Sequence, residues 1–111
     1  MDNLIDKKAL QEAFQKDIII KIHAYERMTE RNLDIHTIEE TIKSDEIIEQ
    51  YTDDYPIPSV LLLGKTISKD KVHIVCAPTD LGLVIITAYY PGFDSWDEER
   101  KKRKKKDEAK K

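Results

Sequence analysis

Apolar residues recur at helical intervals through the first part of the chain. Leu4, Ile5, Ala9, Leu10, Ala13 and Phe14 fall near one stripe and predict a first helix. The run Asp17-Ile18-Ile19-Ile20 then breaks that period. A second helix is expected over roughly residues 24–31, with Ala24 and Met28 pointing inward. It should stop at Asn32, because asparagine tolerates the left-handed conformation that closes helices. Asp34 is a good N-cap for the third helix, "IHTIEETI". Leu33 and Ile38 have the spacing of a hydrophobic staple. Ile35, Ile38 and Ile42 form the buried stripe that this helix is expected to present.

After Lys43 the period shortens. "EIIEQY" predicts a short strand, and "TDDYPIPS", with two prolines and an acidic pair, predicts a turn or loop. "VLLLGKTI", "KVHIVCA" and "LVIITAYY" follow as three strands separated by "SKD" and "PTDLG". Short connections imply antiparallel hairpins. The last strand is apolar on both faces, which argues for a central place in the sheet. Ser95 and Glu98 then have capping-box spacing and open a basic C-terminal helix. The expected class is α+β: N-terminal helices packed on a four-stranded antiparallel sheet, with a basic C-terminal helix. Residues 1–19 form an N-terminal helical segment, 20–99 the body and 100–111 a basic extension.

Length fits one domain, at 111 residues. No apolar run approaches a membrane span, and the polar N-terminus reads as no signal peptide. The expectation is a cytoplasmic protein with no membrane partner. The single cysteine, Cys76, lies in an apolar run and reads as a small core residue. Charge adds an asymmetry. The formal net charge is -3, but residues 100–111 carry nine basic and two acidic side chains, so the rest of the chain stands at -10. A basic tail on an acidic body suggests a polyanion partner or a solvated terminus.

Within that acidic body, "HAYERMTERN" sets His23, Arg27 and Arg31 at steps of four. Residues four apart stack along one helix face, so these three form a cationic strip. Such a strip serves either exposed ion pairs, with Glu26, Glu30 or the acidic loop, or an anionic ligand such as phosphate. His73 is the second candidate, on the opposite strand face from Val72, Ile74 and Cys76. Tyr89 and Tyr90 end the last strand, and alternation lets only one of them share the face of His73. Arg100 and Arg103, in the part of the tail nearer Trp96, are the tail cations expected to dock. A metal site is not expected. His73 and Cys76, three apart on a strand, point to opposite faces, and no pair has structural-zinc spacing. No cofactor motif is present.

"HAYERMTERNLDIHTIEETI", "YTDDYPIPSVLLLG", "VHIVCAP" and "VIITAYYPGFDSWDEERKKRK" occur in this order. Together, over about residues 20 to 104, they resemble the bacterial family known as domain of unknown function 4258. Two positions depart from its pattern: Asn32 stands where glycine is usual, and Tyr55 where arginine is frequent. The resemblance implies a fold like the RelE and barnase-like ribonuclease toxins. It also implies the toxin of a type II toxin–antitoxin pair, with RNA as substrate and a cognate antitoxin, often a small zinc-finger protein, as partner.

The functional expectation is a metal-independent endoribonuclease of the mRNA interferase type. Such chemistry needs a base, a proton donor and fixed positive charge at the phosphate. His23 and His73 suit proton transfer, and Tyr89 suits base stacking or proton transfer. Arg27, Arg31, Arg100 and Arg103 suit phosphate binding. The alternative is a non-catalytic RNA- or protein-binding module of the same fold. Convergence of His23, Arg27, His73 and one tyrosine on a single concave face separates the two.

Overall fold

The computed structural model describes residues 4–43, 46–51, 57–66 and 70–92. Helix α1 (Lys7–Lys16) begins where the Asp6 carboxylate accepts the Ala9 N–H at 2.9 Å. That bond satisfies one of the donors left open in a first turn. Leu10 and Ala13 are buried, Ile5 and Phe14 pack partly on the same core, and Leu4 stays exposed.

Helix α2 (Ile22–Glu30) starts two residues earlier than its apolar pattern suggests. Its end follows the expected chemistry. Asn32 takes φ 59°. The Leu33 N–H donates to the Met28 carbonyl at 2.8 Å and the Asn32 N–H to the Thr29 carbonyl at 3.1 Å. These bonds form a Schellman closure, and its two apolar residues, Met28 and Leu33, both lie in the core.

Helix α3 (Ile35–Lys43) is capped by Asp34, whose carboxylate accepts the Thr37 N–H at 2.8 Å. The backbone and side-chain hydrogen bonds from Thr37 hold the Asp34 carboxyl below its ordinary value. The folded value is the depressed one. The cap therefore stabilises the fold fully above the ordinary Asp range and loses that contribution as pH falls through the folded value. Asp34→Ala should lower the thermal midpoint at neutral pH, and the gap to wild type should close below the carboxylate range. Melting curves at neutral and strongly acid pH check this; a gap that does not change with pH would show that the charged cap contributes nothing.

The buried stripe of α3 differs from expectation. Ile38 and Ile42 are buried, but Ile35 is 48% exposed and Thr41 is buried instead. The cause lies in the sheet below. Gly64 brings its strand so close to the Thr41 backbone that no Cβ fits between them. Thr41 and Ile35 lie roughly 60° to either side of Ile38 on a helix. Rolling the helix onto Thr41 therefore lifts Ile35 into solvent.

The sheet has five strands and is mixed, not four strands and antiparallel. Its strands are β1 (Ile18–Ile20), β2 (Glu46–Tyr51), β3 (Ser59–Lys65), β4 (Lys71–Pro78) and β5 (Leu83–Tyr89), in the order β1-β5-β4-β3-β2. β2, β3, β4 and β5 pair antiparallel as expected, with β5 in the interior. The added strand is the isoleucine run that breaks the helical period. It pairs parallel with β5, Ile18 opposite Leu83 and Ile20 opposite Ile85. Three β-branched residues suit a strand, but three positions are too few to show a period. Tertiary contacts fix it in place. The Leu83 N–H donates to the Asp17 carbonyl at 2.9 Å. Gly82, at φ 151°, lets Asp17 approach where a Cβ would stand 2.7 Å from that carbonyl oxygen.

One core joins all three helices to one sheet face. Leu10, Ala13, Met28, Leu33, Ile38 and Ile42 pack with Val60, Leu62, Val72, Ile74, Cys76, Leu83, Ile85 and Ala88. Cys76 is a buried core thiol. By alternation, Leu61, Leu63, His73 and Ala77 belong to the second face, and they are buried as well. The "TDDYP" segment, Tyr55, the expected C-terminal helix and Arg100 and Arg103 lie outside the described residues.

Candidate functional site

The β4–β5 hairpin decides which tyrosine meets His73. Its turn is closed by paired backbone bonds between Thr79 and Gly82. From the turn the register runs Pro78↔Leu83, Ala77↔Val84, Cys76↔Ile85. Continued unbroken, it would set Ala88 opposite His73. Instead a bulge falls between Val75 and Cys76, with Ile86 as the extra residue on β5. Beyond it the pairs are Val75↔Thr87, Ile74↔Ala88 and His73↔Tyr89. Ala88 thereby joins the core, and Tyr89 turns to the second face beside His73.

The two side chains meet. His73 Nδ1 lies 3.3 Å from the Tyr89 hydroxyl. The rings approach edge to face, with centroids 5.3 Å apart and planes at 74°. His73 is fully buried and Tyr89 half-buried, so the tyrosine is the member of the pair that reaches solvent.

Arg31 reaches the same end of β5 from the other side. β1 stops at Ile20↔Ile85, so among the described residues β5 beyond Ile85 has no strand on that edge. α2 runs there instead. Arg31 donates Nη1 to the Ala88 carbonyl at 2.9 Å and to the Thr87 hydroxyl at 3.3 Å. The half-buried guanidinium thus satisfies an edge carbonyl and blocks further pairing. Thr87 is the residue that the sequence reading missed. Its signal was alternation, since it lies two places before Tyr89 on the same face.

The strip does not stay on one line. Four residues overshoot one helical turn by about 40°, so each step from Arg31 back to Arg27 and His23 rotates away from the core. Exposure follows this drift. Arg31 is half-buried and Arg27 exposed. The His23 side chain is 93% exposed and lies 3.8 Å from the 60% exposed Glu26 carboxylate. An ion pair that open contributes little. Among the described residues, the Arg27 side chain has no hydrogen-bond or ion-pair partner. The structure therefore pairs His73 with Tyr89 and bonds Arg31 to the neighbouring Thr87 and Ala88 of β5. It leaves Arg27 one turn away with no side-chain partner among the described residues, and it leaves His23 in solvent, without the contact to His73 that a shared catalytic pair would need.

A second polar pair lies on the same sheet face. Tyr51 donates its hydroxyl to the Glu49 carboxylate, and both residues pair with second-face positions of β3, Ser59 and Leu61. No sequence motif marks this pair; residues two apart on a strand share a face, and that was its signal. Among the described residues no group of three His, Cys, Asp or Glu side chains is placed to hold a metal ion. No helix there is long and apolar enough to cross a membrane.

The fold and site define a small α+β protein with a helix-covered sheet and, along its β5 edge, a helix that carries Arg27 and ends at Arg31. Residues 20–90 match the model of the family described as a domain of unknown function (DUF4258), and the chain belongs to that family. Helix α1 and most of β1 precede the matched span. No curated protein and no solved structure matches the chain.

Proposed function

We propose that the protein is a toxin-like, metal-independent endoribonuclease, acting beside a cognate antitoxin. The observation that carries the reading is the His73–Tyr89 pair at the end of β5, with Arg31 bonded to the adjacent Thr87 and Ala88 and the Arg27 side chain, one turn along α2, without a partner among the described residues. A proton-transferring hydroxyl and fixed positive charge are the parts that attack by a ribose 2′-hydroxyl requires. Arg27 grips the phosphate through its free guanidinium edge. Tyr89 contacts the reacting oxygen. Arg31 fixes the strand that carries Tyr89. His23, exposed at the outer end of the strip, stands about two helical turns from Arg31 and takes no part in this arrangement, so water protonates the leaving oxygen.

One observation favours a non-catalytic RNA-binding module instead: one histidine is buried and the other is paired in solvent. Incubating purified protein with RNA in a strong chelator separates the readings. The expected result is cleavage to 2′,3′-cyclic phosphate and 5′-hydroxyl ends, unchanged by the chelator. Binding without cleavage would establish the module, and cleavage lost in chelator but restored by a divalent ion would sink the metal-independent mechanism.

A further inference from the structure

We infer that His73 never touches RNA and is a positioning residue, which orients the Tyr89 hydroxyl and takes its proton as that hydroxyl deprotonates the attacking 2′-oxygen. The inference rests on the ribonuclease reading and assigns its base. Three observations carry it. His73 is fully buried, so substrate cannot reach its ring. Its Nδ1 lies within hydrogen-bond distance of the Tyr89 hydroxyl. The β5 bulge spends one residue, the 43% exposed Ile86, and thereby puts Tyr89 rather than Ala88 opposite His73. Bulges characteristically re-aim a side chain beside a site.

Burial also sets the route of transfer: the His73 ring is closed to substrate, so a proton passes between it and the 2′-oxygen only through the hydroxyl of the half-buried Tyr89. In the reaction the 2′-O–H proton moves to the Tyr89 oxygen as the tyrosine's own proton moves to Nδ1. The 2′-oxygen bonds to phosphorus and the P–O5′ bond breaks. The 5′-oxygen takes a proton from water, and His73 returns its borrowed proton to solvent through Tyr89. The products are a 2′,3′-cyclic phosphate and a 5′-hydroxyl, with no net proton consumed.

The test combines single-turnover cleavage at saturating RNA with carbon-13 NMR of tyrosine-labelled protein. The variants are Tyr89→Phe, His73→Leu, His73→Asn and the Phe/Leu double. The Tyr89→Phe spectrum assigns the Tyr89 resonance by its loss. Tyr89→Phe and His73→Leu should each lower the rate on the order of 10²–10⁴-fold. The double should be no slower than the worse single, and RNA affinity should be little changed. His73→Asn, whose amide oxygen approximates Nδ1, should recover part of the rate. In His73→Leu the Tyr89 resonance should titrate at a different pH from wild type. An unmoved Tyr89 resonance there overturns the inference whatever the activity. Wild type that cleaves while both singles keep full rate overturns it and leaves the ribonuclease reading standing. A shifted resonance in a protein that cleaves no RNA overturns the ribonuclease reading, and the proton transfer with it.

Discussion

Arg27→Ala should abolish RNA cleavage, and growth inhibition in cells, while leaving the fold intact. Arg27 is exposed and its side chain has no partner among the described residues, so truncation empties no cavity and strands no buried group. Surface substitutions of that kind move stability by about 0.5 kcal/mol or less. The catalytic loss is of another order. Removing one donor aimed at developing charge typically costs about 10²–10³-fold in rate. Arg27→Lys should be impaired as well, because an ammonium group cannot offer the planar fork that meets two phosphate oxygens. Arg31→Ala is the control that fails differently. It removes charge-assisted bonds to the Ala88 carbonyl and the Thr87 hydroxyl, and should destabilise the fold by about 1–2 kcal/mol. Single-turnover rates with denaturant melts of all three variants separate these effects. An Arg27→Ala protein that is folded and fully active would remove the strip from the mechanism.

How far the sequence reaches can be judged residue by residue. Asn32 and Asp34 were legible because helix ends depend on local chemistry: a left-handed φ and a free carboxylate suffice. The four longer strands were legible as short apolar runs set off by turn residues. The isoleucine strand was not, since its existence depends on Asp17 meeting Leu83 and Gly82 across more than sixty residues. For the candidate site, the residue types and the α2 spacing were readable, but their convergence was not. Helical drift separates His23 from Arg31, and that follows from 3.6 residues per turn once the buried face is known. Whether Tyr89 or Tyr90 faces His73 turns on a single bulged residue, and nothing local in "LVIITAYY" marks Ile86 as the extra one. The exposure of Ile35 likewise depends on Gly64, a residue in a different element.

Gly64→Ala should be among the most destabilising single changes in the chain. Gly64 needs no unusual backbone conformation; what it supplies is space. A Cβ there would overlap the carbonyl oxygen and Cγ2 of Thr41 and stand 3.1 Å from the carbonyl carbon. Neither partner can retreat freely. β3 is held between β2 and β4, and α3 is held by Ile38 and Ile42 in the core. Overpacking typically costs about 1–3 kcal/mol, and here the obstacle is backbone, so about 3 kcal/mol or more is expected. A domain with about 5–15 kcal/mol to lose would show that plainly in a denaturant melt. The Thr41→Ala partner change divides the clash. It clears Cγ2 but leaves the carbonyl, so in the Gly64→Ala background it should recover less than half of the loss. Full recovery would mean that side-chain crowding alone sets the helix–sheet distance, and a Gly64→Ala protein as stable as wild type would mean that α3 does not seat on β3 as described. Because Gly64 lies on the side of the sheet away from β5, the surviving folded fraction should keep its affinity for RNA.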